Sequence, residues 1–195
     1  MPNSYGIIVE GAFDRAVFVE LIRKIREDAL PVHSRDCGGL PKLKKNFPAL
    51  LGTLENAHNG NPVDRALVIR DSDGGDPAAL EEGLRGRVEG KEFAFRYGVR
   101  FYAVSQKMET LLLADADAIN RVAQARGVFR RKATRPQMDL ETIPNPKEHV
   151  LDLFSLAGLL YTAEACGEVA ADADLDLIRR YCPSIENFIS KVVER

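Results

Sequence analysis

Leu67-Val68-Ile69-Arg70-Asp71-Ser72-Asp73-Gly74-Gly75-Asp76-Pro77 is the stretch on which the fold turns. A short apolar run bounded by Gly and Pro predicts a buried strand over residues 66–70 that ends in a turn. Pro77 suits the first turn of a helix that continues to about Val88. Residues two apart in extended backbone point the same way, so Asp71 and Asp73 are expected to face one ion. Asp and Gly are also ordinary turn residues, and an acidic turn is the alternative.

Upstream of that strand, Tyr5 to Val9 is a second apolar run, followed at once by Glu10-Gly11. Val17, Phe18, Leu21, Ile22 and Ile25 recur at helical spacing and predict a helix from about Asp14 to Leu30, which Pro31 stops. Val32 to Asp36 is a weaker strand. Leu40, Leu43, Phe47, Leu50, Leu51 and Leu54 form the face of another helix, with Pro48 expected to kink or divide it. Downstream, residues 92–97 are expected to form an edge strand and residues 99–104 an apolar one. One helix should then run through Leu111-Leu112-Leu113 to about Ala125. Strands alternating with helices predict an α/β fold, a mainly parallel four- to five-stranded sheet flanked by helices. Residues 129–146 are basic, then Pro-rich, and read as a long ordered loop. Helices are expected at 148–156, 162–170, 175–181 and 184–193. The expected organisation is a core over 1–127, with a loop and helical flank over 128–195 packed on the same domain.

The chain has 195 residues, of which 45% are hydrophobic and 29% charged, enough for one well-packed soluble domain. A net charge of −2 argues against coating nucleic acid by bulk charge, but leaves room for a local basic groove. Cys37, Cys166 and Cys182 are scattered, which suggests reduced thiols and a cytoplasmic setting. The first residues lack the pattern of a signal peptide, and no apolar run approaches the roughly 20 residues of a membrane span.

In an open parallel sheet, ligands bind beyond the carboxyl ends of the strands. Glu10 follows the first strand, Asp71 and Asp73 the third, and Glu109 lies just past the strand at 99–104. Four acids are thus expected at one edge, where their repulsion favours a cation between them. Hard oxygen donors suit Mg²⁺ or Mn²⁺. Asp14 is either a fifth ligand or a first-turn helix acid, and Glu109 has the same alternative. Lys107 and Arg70 flank the acids, either to neutralise a phosphate or as solvated charges. Lys42, Lys44 and Lys45 form one basic cluster; Arg126, Arg130, Arg131, Lys132 and Arg135 form another. His33, His58 and His149 are dispersed.

With those residues in view, Ile7-Ile8-Val9-Glu10-Gly11-Ala12-Phe13-Asp14 resembles the opening Glu-Gly motif of Toprim domains, and Asp71-Ser72-Asp73 resembles their Asp-x-Asp motif. Residues 106–115, led by Glu109, and residues 175–188 resemble segments of a Toprim-like bacterial family, domain of unknown function 4276. The likeness implies a Toprim-like fold. It implies Glu10 as general acid/base or metal ligand, and an Asp pair holding Mg²⁺. Its relatives include topoisomerases, primases, recombination-repair proteins and overcoming-lysogenization-defect nucleases. The chain departs from them in having no domain to present a nucleophilic Tyr, Asp14 where nuclease relatives carry Glu, and Thr110 where an aromatic is usual.

The resulting expectation is a Mg²⁺- or Mn²⁺-dependent phosphodiesterase acting on nucleic acid, DNA ahead of RNA, in phage defence or DNA repair. Glu10, Asp71, Asp73 and Asp14 are the expected metal ligands, and Glu10, Glu109 and Lys107 the catalytic groups. The alternative is a non-catalytic interaction protein working with a partner ATPase, since the chain has no Walker loop. A response-receiver reading lacks the paired acid at the first strand end. An EF-hand loop from Asp71 would put Asp76 where Gly is required.

Overall fold

Apolar runs too short for helices become strands, and their alternating side chains build two cores. In the computed structural model, which describes residues 2–27 and 30–194, the strands are β1 (Tyr5–Val9), β2 (Val32–Asp36), β3 (Arg65–Asp71) and β4 (Val99–Val104). They form one all-parallel sheet in the order β2-β1-β3-β4, with Ile8 opposite Val68 and Asp71 opposite Val104. Parallel strands covered on both faces are mostly apolar, and β1 and β3 are buried nearly along their lengths, with Arg65 and Arg70 of β3 buried among the apolar residues. Tyr5, Ile7, Val9, Leu67 and Ile69 join one cluster; Ile8, Ala66 and Val68 join the other.

On the second face lie α2 (Leu40–Leu54) and α3 (Pro77–Gly86). The first face carries α1 (Ala12–Ile25), α4 (Glu109–Ala114), α5 (Ala116–Ala125), α6 (Pro146–Ala157), α7 (Ala163–Asp172), α8 (Leu175–Tyr181) and α9 (Ile185–Val193). The outer edge of β4 is blunted, because the Ala103 N–H donates to Glu81 Oε1 at 3.1 Å and Glu81 also holds Lys191 at 2.8 Å. At the other end of the sheet, the guanidinium of Arg65, fully buried, donates to the carbonyls of Lys191, Val192 and Glu194 and so caps α9. No helix among the described residues is long and apolar enough to cross a membrane.

Four expectations need correction. Residues 92–97 form no strand: Tyr97 N–H donates to Asp64 O, Gly98 N–H to Phe95 O, and the alternation of Phe93 and Phe95 serves packing of their stacked rings. Pro48 does not divide α2. The carbonyl of Lys44, to which a proline cannot donate, accepts from Arg87 Nη1 at 2.8 Å instead. The helix expected to Ala125 is two helices, broken at Asp115, which is 2% exposed. Asp115 Oδ1 accepts from Ala118 N–H to start α5, while Oδ2 accepts from Arg121 and Asp174 N–H. Finally, the first helix stops at Ile25, not near Leu30, and part of the expected extension, Asp28 and Ala29, lies outside the described residues.

Candidate functional site

The chain crosses back over β1 between β2 and β3, and the acids stand at that switch point. Glu10 follows the last residue of β1, and its Oε1 accepts from the Asp71 N–H at 3.1 Å. Asp71 ends β3, and its Oδ1 accepts from the Met108 N–H at 2.9 Å. Asp14 lies in the first turn of α1, where its Oδ2 accepts from the Gly11 N–H at 2.9 Å as a capping group. Glu109, 6% exposed, opens α4 and accepts from the Tyr161 hydroxyl at 2.8 Å. Tyr161 stacks on Phe13 with ring centroids 4.7 Å apart, and Lys147 Nζ lies 5.7 Å from the same ring. Together Asp14, Asp71, Glu109, Lys107, Lys147 and Tyr161 line a cleft of about 190 Å³.

Crowding shows in the proton affinities. Burial, then the charges of Asp14, Glu109 and Glu10, holds the Asp71 carboxyl well above its ordinary value. Burial, with Glu10 and Glu109, pushes Asp14 up to about 6. Glu10 is raised by burial and Asp73, against the lowering pull of the Asp71 N–H, Arg70 and Lys107. Burial and the charge of Glu109 likewise raise the Tyr161 hydroxyl and the Cys166 thiol, the latter to about 12. Each of the four acids engages an N–H or O–H through one oxygen. No group of three or more His, Cys, Asp or Glu side chains among the described residues is arranged to hold a metal ion as it stands.

Asp73 is not brought into this group of four. β3 ends at Asp71, and Asp73 has a left-handed backbone with φ 50°, so the same-face geometry of an extended strand does not reach it. Its carboxylate pairs instead with Lys107 Nζ at 2.5 Å, which raises the lysine. The two loops are laced together: Gln106 O accepts from the N–H groups of Ser72 and Asp73, and Ser72 Oγ accepts from the Gln106 N–H. Gln106 is itself left-handed, with φ 61°.

The basic cluster from Arg126 to Arg135 is largely occupied elsewhere. Arg126 binds Glu168, Lys132 binds Asp117, and Arg135 stacks on Tyr181. His33 Nε2 and His58 Nδ1 come within 3.4 Å of each other, away from the acids. Sequence reasoning missed Tyr161, Lys147 and Phe13. Only the packing of the segment after α6 against α1 brings Tyr161 to Glu109, and no local spacing signals that.

The family described as "Domain of unknown function (DUF4276)" matches residues 9–193. No curated protein matches the chain. Two solved structures of the C-terminal region of the Xanthomonas campestris pv. campestris OLD protein are similar to it, one phased with iodine and one with mercury. The first is 18% identical, covers 95% of this chain and 95% of its own, and has a TM-score of 0.45. The second is 16% identical, covers 95% and 96%, and has the same TM-score.

Proposed function

The chain belongs to that family, so its activity has to be argued from its own cleft, and we propose that it is a divalent-metal-dependent phosphodiesterase acting on nucleic acid. One observation carries the reading. Glu10, Asp14, Asp71 and Glu109 converge from three strand ends, and burial, with their mutual repulsion added to it, raises Asp14 and Asp71. Hard carboxylate donors under that repulsion fit Mg²⁺ or Mn²⁺, whose charge would relieve it. Glu10, Asp14 and Asp71 would hold the ion, with Glu109 completing the shell or serving as base. The bound ion would supply polarisation of the phosphoryl oxygen and a more acidic water.

The chain's own groups do the rest. Lys107, now on Asp73, offers its ammonium to a phosphate; Asp73 is then free to turn toward the other acids. Tyr161 fixes the Glu109 carboxylate, and its ring on Phe13 walls one side of the cleft. Lys147 adds positive charge to the lining. DNA is the favoured substrate and Toprim-like chemistry the expected kind, with phage defence or repair as the setting.

The test is cleavage of single- and double-stranded DNA and of RNA by purified protein with Mg²⁺ or Mn²⁺, alongside calorimetric titration of the ion. Asp71→Asn keeps an acceptor for the Met108 N–H, and it should abolish cleavage and weaken ion binding while the protein stays folded. No cleavage of any substrate, together with unchanged ion affinity in the variant, would sink the proposal. A second reading, a non-catalytic partner of an ATPase, is favoured by the hydrogen bond each acid already makes without a metal. Cleavage by the isolated chain would exclude it.

A further inference from the structure

A second pocket opens on the opposite face of the sheet from the Asp14–Glu109 cleft. It encloses about 220 Å³ between α2 and α3, and its charged lining is Lys44, Arg70 and Arg87, with Leu80, Gly83 and Leu84 as apolar wall. No carboxylate lines it. Arg70 alternates with Asp71 at the end of β3, so it falls on the α2–α3 side, where Val68 and Ala66 also point.

Arg70 is only 6% exposed, and it donates from Nε to the Asp71 carbonyl at 2.9 Å. Its other two nitrogens donate to no acceptor among the described residues, and neither they nor the Lys44 ammonium enters an ion pair there. Arg87 spends one nitrogen on the Lys44 carbonyl, which fixes both residues at the rim. The side chain is largely buried, but its two Nη are not among the buried unpartnered atoms: they open into the pocket, where two more cations and no acid join them, so their donors face outward, open to an anion. The planar fork of arginine matches phosphate oxygens. Arg70 and Asp71 are consecutive at the end of β3, so the pocket and the acid cleft lie on the two sides of the same strand end.

We infer that Lys44, Arg70 and Arg87 form a phosphate-binding pocket that holds a backbone phosphate of a polynucleotide that also passes the acid edge. This rests on the nucleic-acid reading above for its ligand, though not on catalysis. The experiment therefore uses the full chain in EDTA, where nothing is cut. A labelled single-stranded oligodeoxynucleotide is titrated by fluorescence anisotropy over a range of salt, and inorganic phosphate is titrated by calorimetry. Wild type is compared with Lys44→Gln and with Lys44→Gln/Arg87→Gln.

The expected result is oligonucleotide binding weakened at least roughly tenfold in the double variant, with a salt slope shallower by about 0.7 for each phosphate the protein no longer neutralises. Wild-type affinity and slope in the double variant would overturn the inference even if cleavage is confirmed. Binding of inorganic phosphate but not of the oligonucleotide would overturn the polynucleotide assignment and leave a pocket for a free phosphate. Absence of cleavage with the anisotropy result intact would count against the metal chemistry alone. Lys44→Gln changes only a partly exposed side chain, so a smaller loss of affinity in that variant supports the pocket if the double variant unfolds.

Discussion

At Asp14 and Asp71, folding raises carboxyls that are ordinary acids in the unfolded chain. The folded state therefore holds protons that the unfolded state has released, and stability falls as pH rises between the two values. For Asp14 the window runs from about 4 up to about 6, a cost of about 3 kcal/mol when fully ionised. Thermal melts in EDTA should show the protein losing stability from pH 4 to pH 6. Asp71 should extend the loss to higher pH. Asp14→Asn, which can still accept from Gly11, should flatten the profile, and an unchanged profile would refute the assignment. Mg²⁺ should restore stability at neutral pH if the acids share an ion. Tyr161→Phe removes one hydrogen bond to a charged group. It should cost about 1.5–3 kcal/mol in a melt and weaken ion binding, since Glu109 then loses its anchor.

The elements most legible in the sequence were those whose apolar period is a complete account of their burial. β1, β3 and β4 are such runs, and α8 falls on the expected residues 175–181. Where another residue supplies what the local pattern lacks, the sequence misleads: Arg87 makes good the donor missing at Pro48, and Asp115 breaks an unbroken apolar period. The acid edge was readable because topology brings strand ends together. Tyr161 was not, because its position depends on helices packed after α5. Close approach governs two further outcomes. A Cβ on Gly6 of β1 would stand 2.6 Å from Leu54 Cδ1 of α2, so Gly6→Ala should cost roughly 1–3 kcal/mol and lower the melting temperature. Gly158 closes α6 with φ 93°, and a Cβ there would lie 2.2 Å from the Val128 carbonyl oxygen. Gly158→Ala should therefore be worse than Gly6→Ala, since backbone strain of roughly 1–3 kcal/mol adds to a clash that no rotamer relieves.

For the molecule as a whole, Arg65 is the tie between the start of β3 and the last turn of α9. It is fully buried, and the Tyr5 hydroxyl joins it in donating to the Val192 carbonyl, at 2.7 Å. Arg65→Met should lower stability by about 1–3 kcal/mol, because the carbonyls of Lys191 and Glu194 lose this donor and that of Val192 keeps only the Tyr5 hydroxyl. Chemical denaturation should report one cooperative transition moved to lower denaturant. A midpoint within error of wild type would mean that water replaces the guanidinium.

The strand order also bears on synthesis. β1 is made first, yet it lies inside the sheet, between β2 and β3. A growing chain on the ribosome cannot give β1 both neighbours until residue 71 has emerged, and the partner of Glu109 arrives only with Tyr161. The carbonyls that satisfy Arg65 come later still, at residues 191–194. The acid cleft assembled in that order is therefore complete only after the sheet has closed and Tyr161 has emerged, so the late helices, and not the strands, decide when its lining is in place.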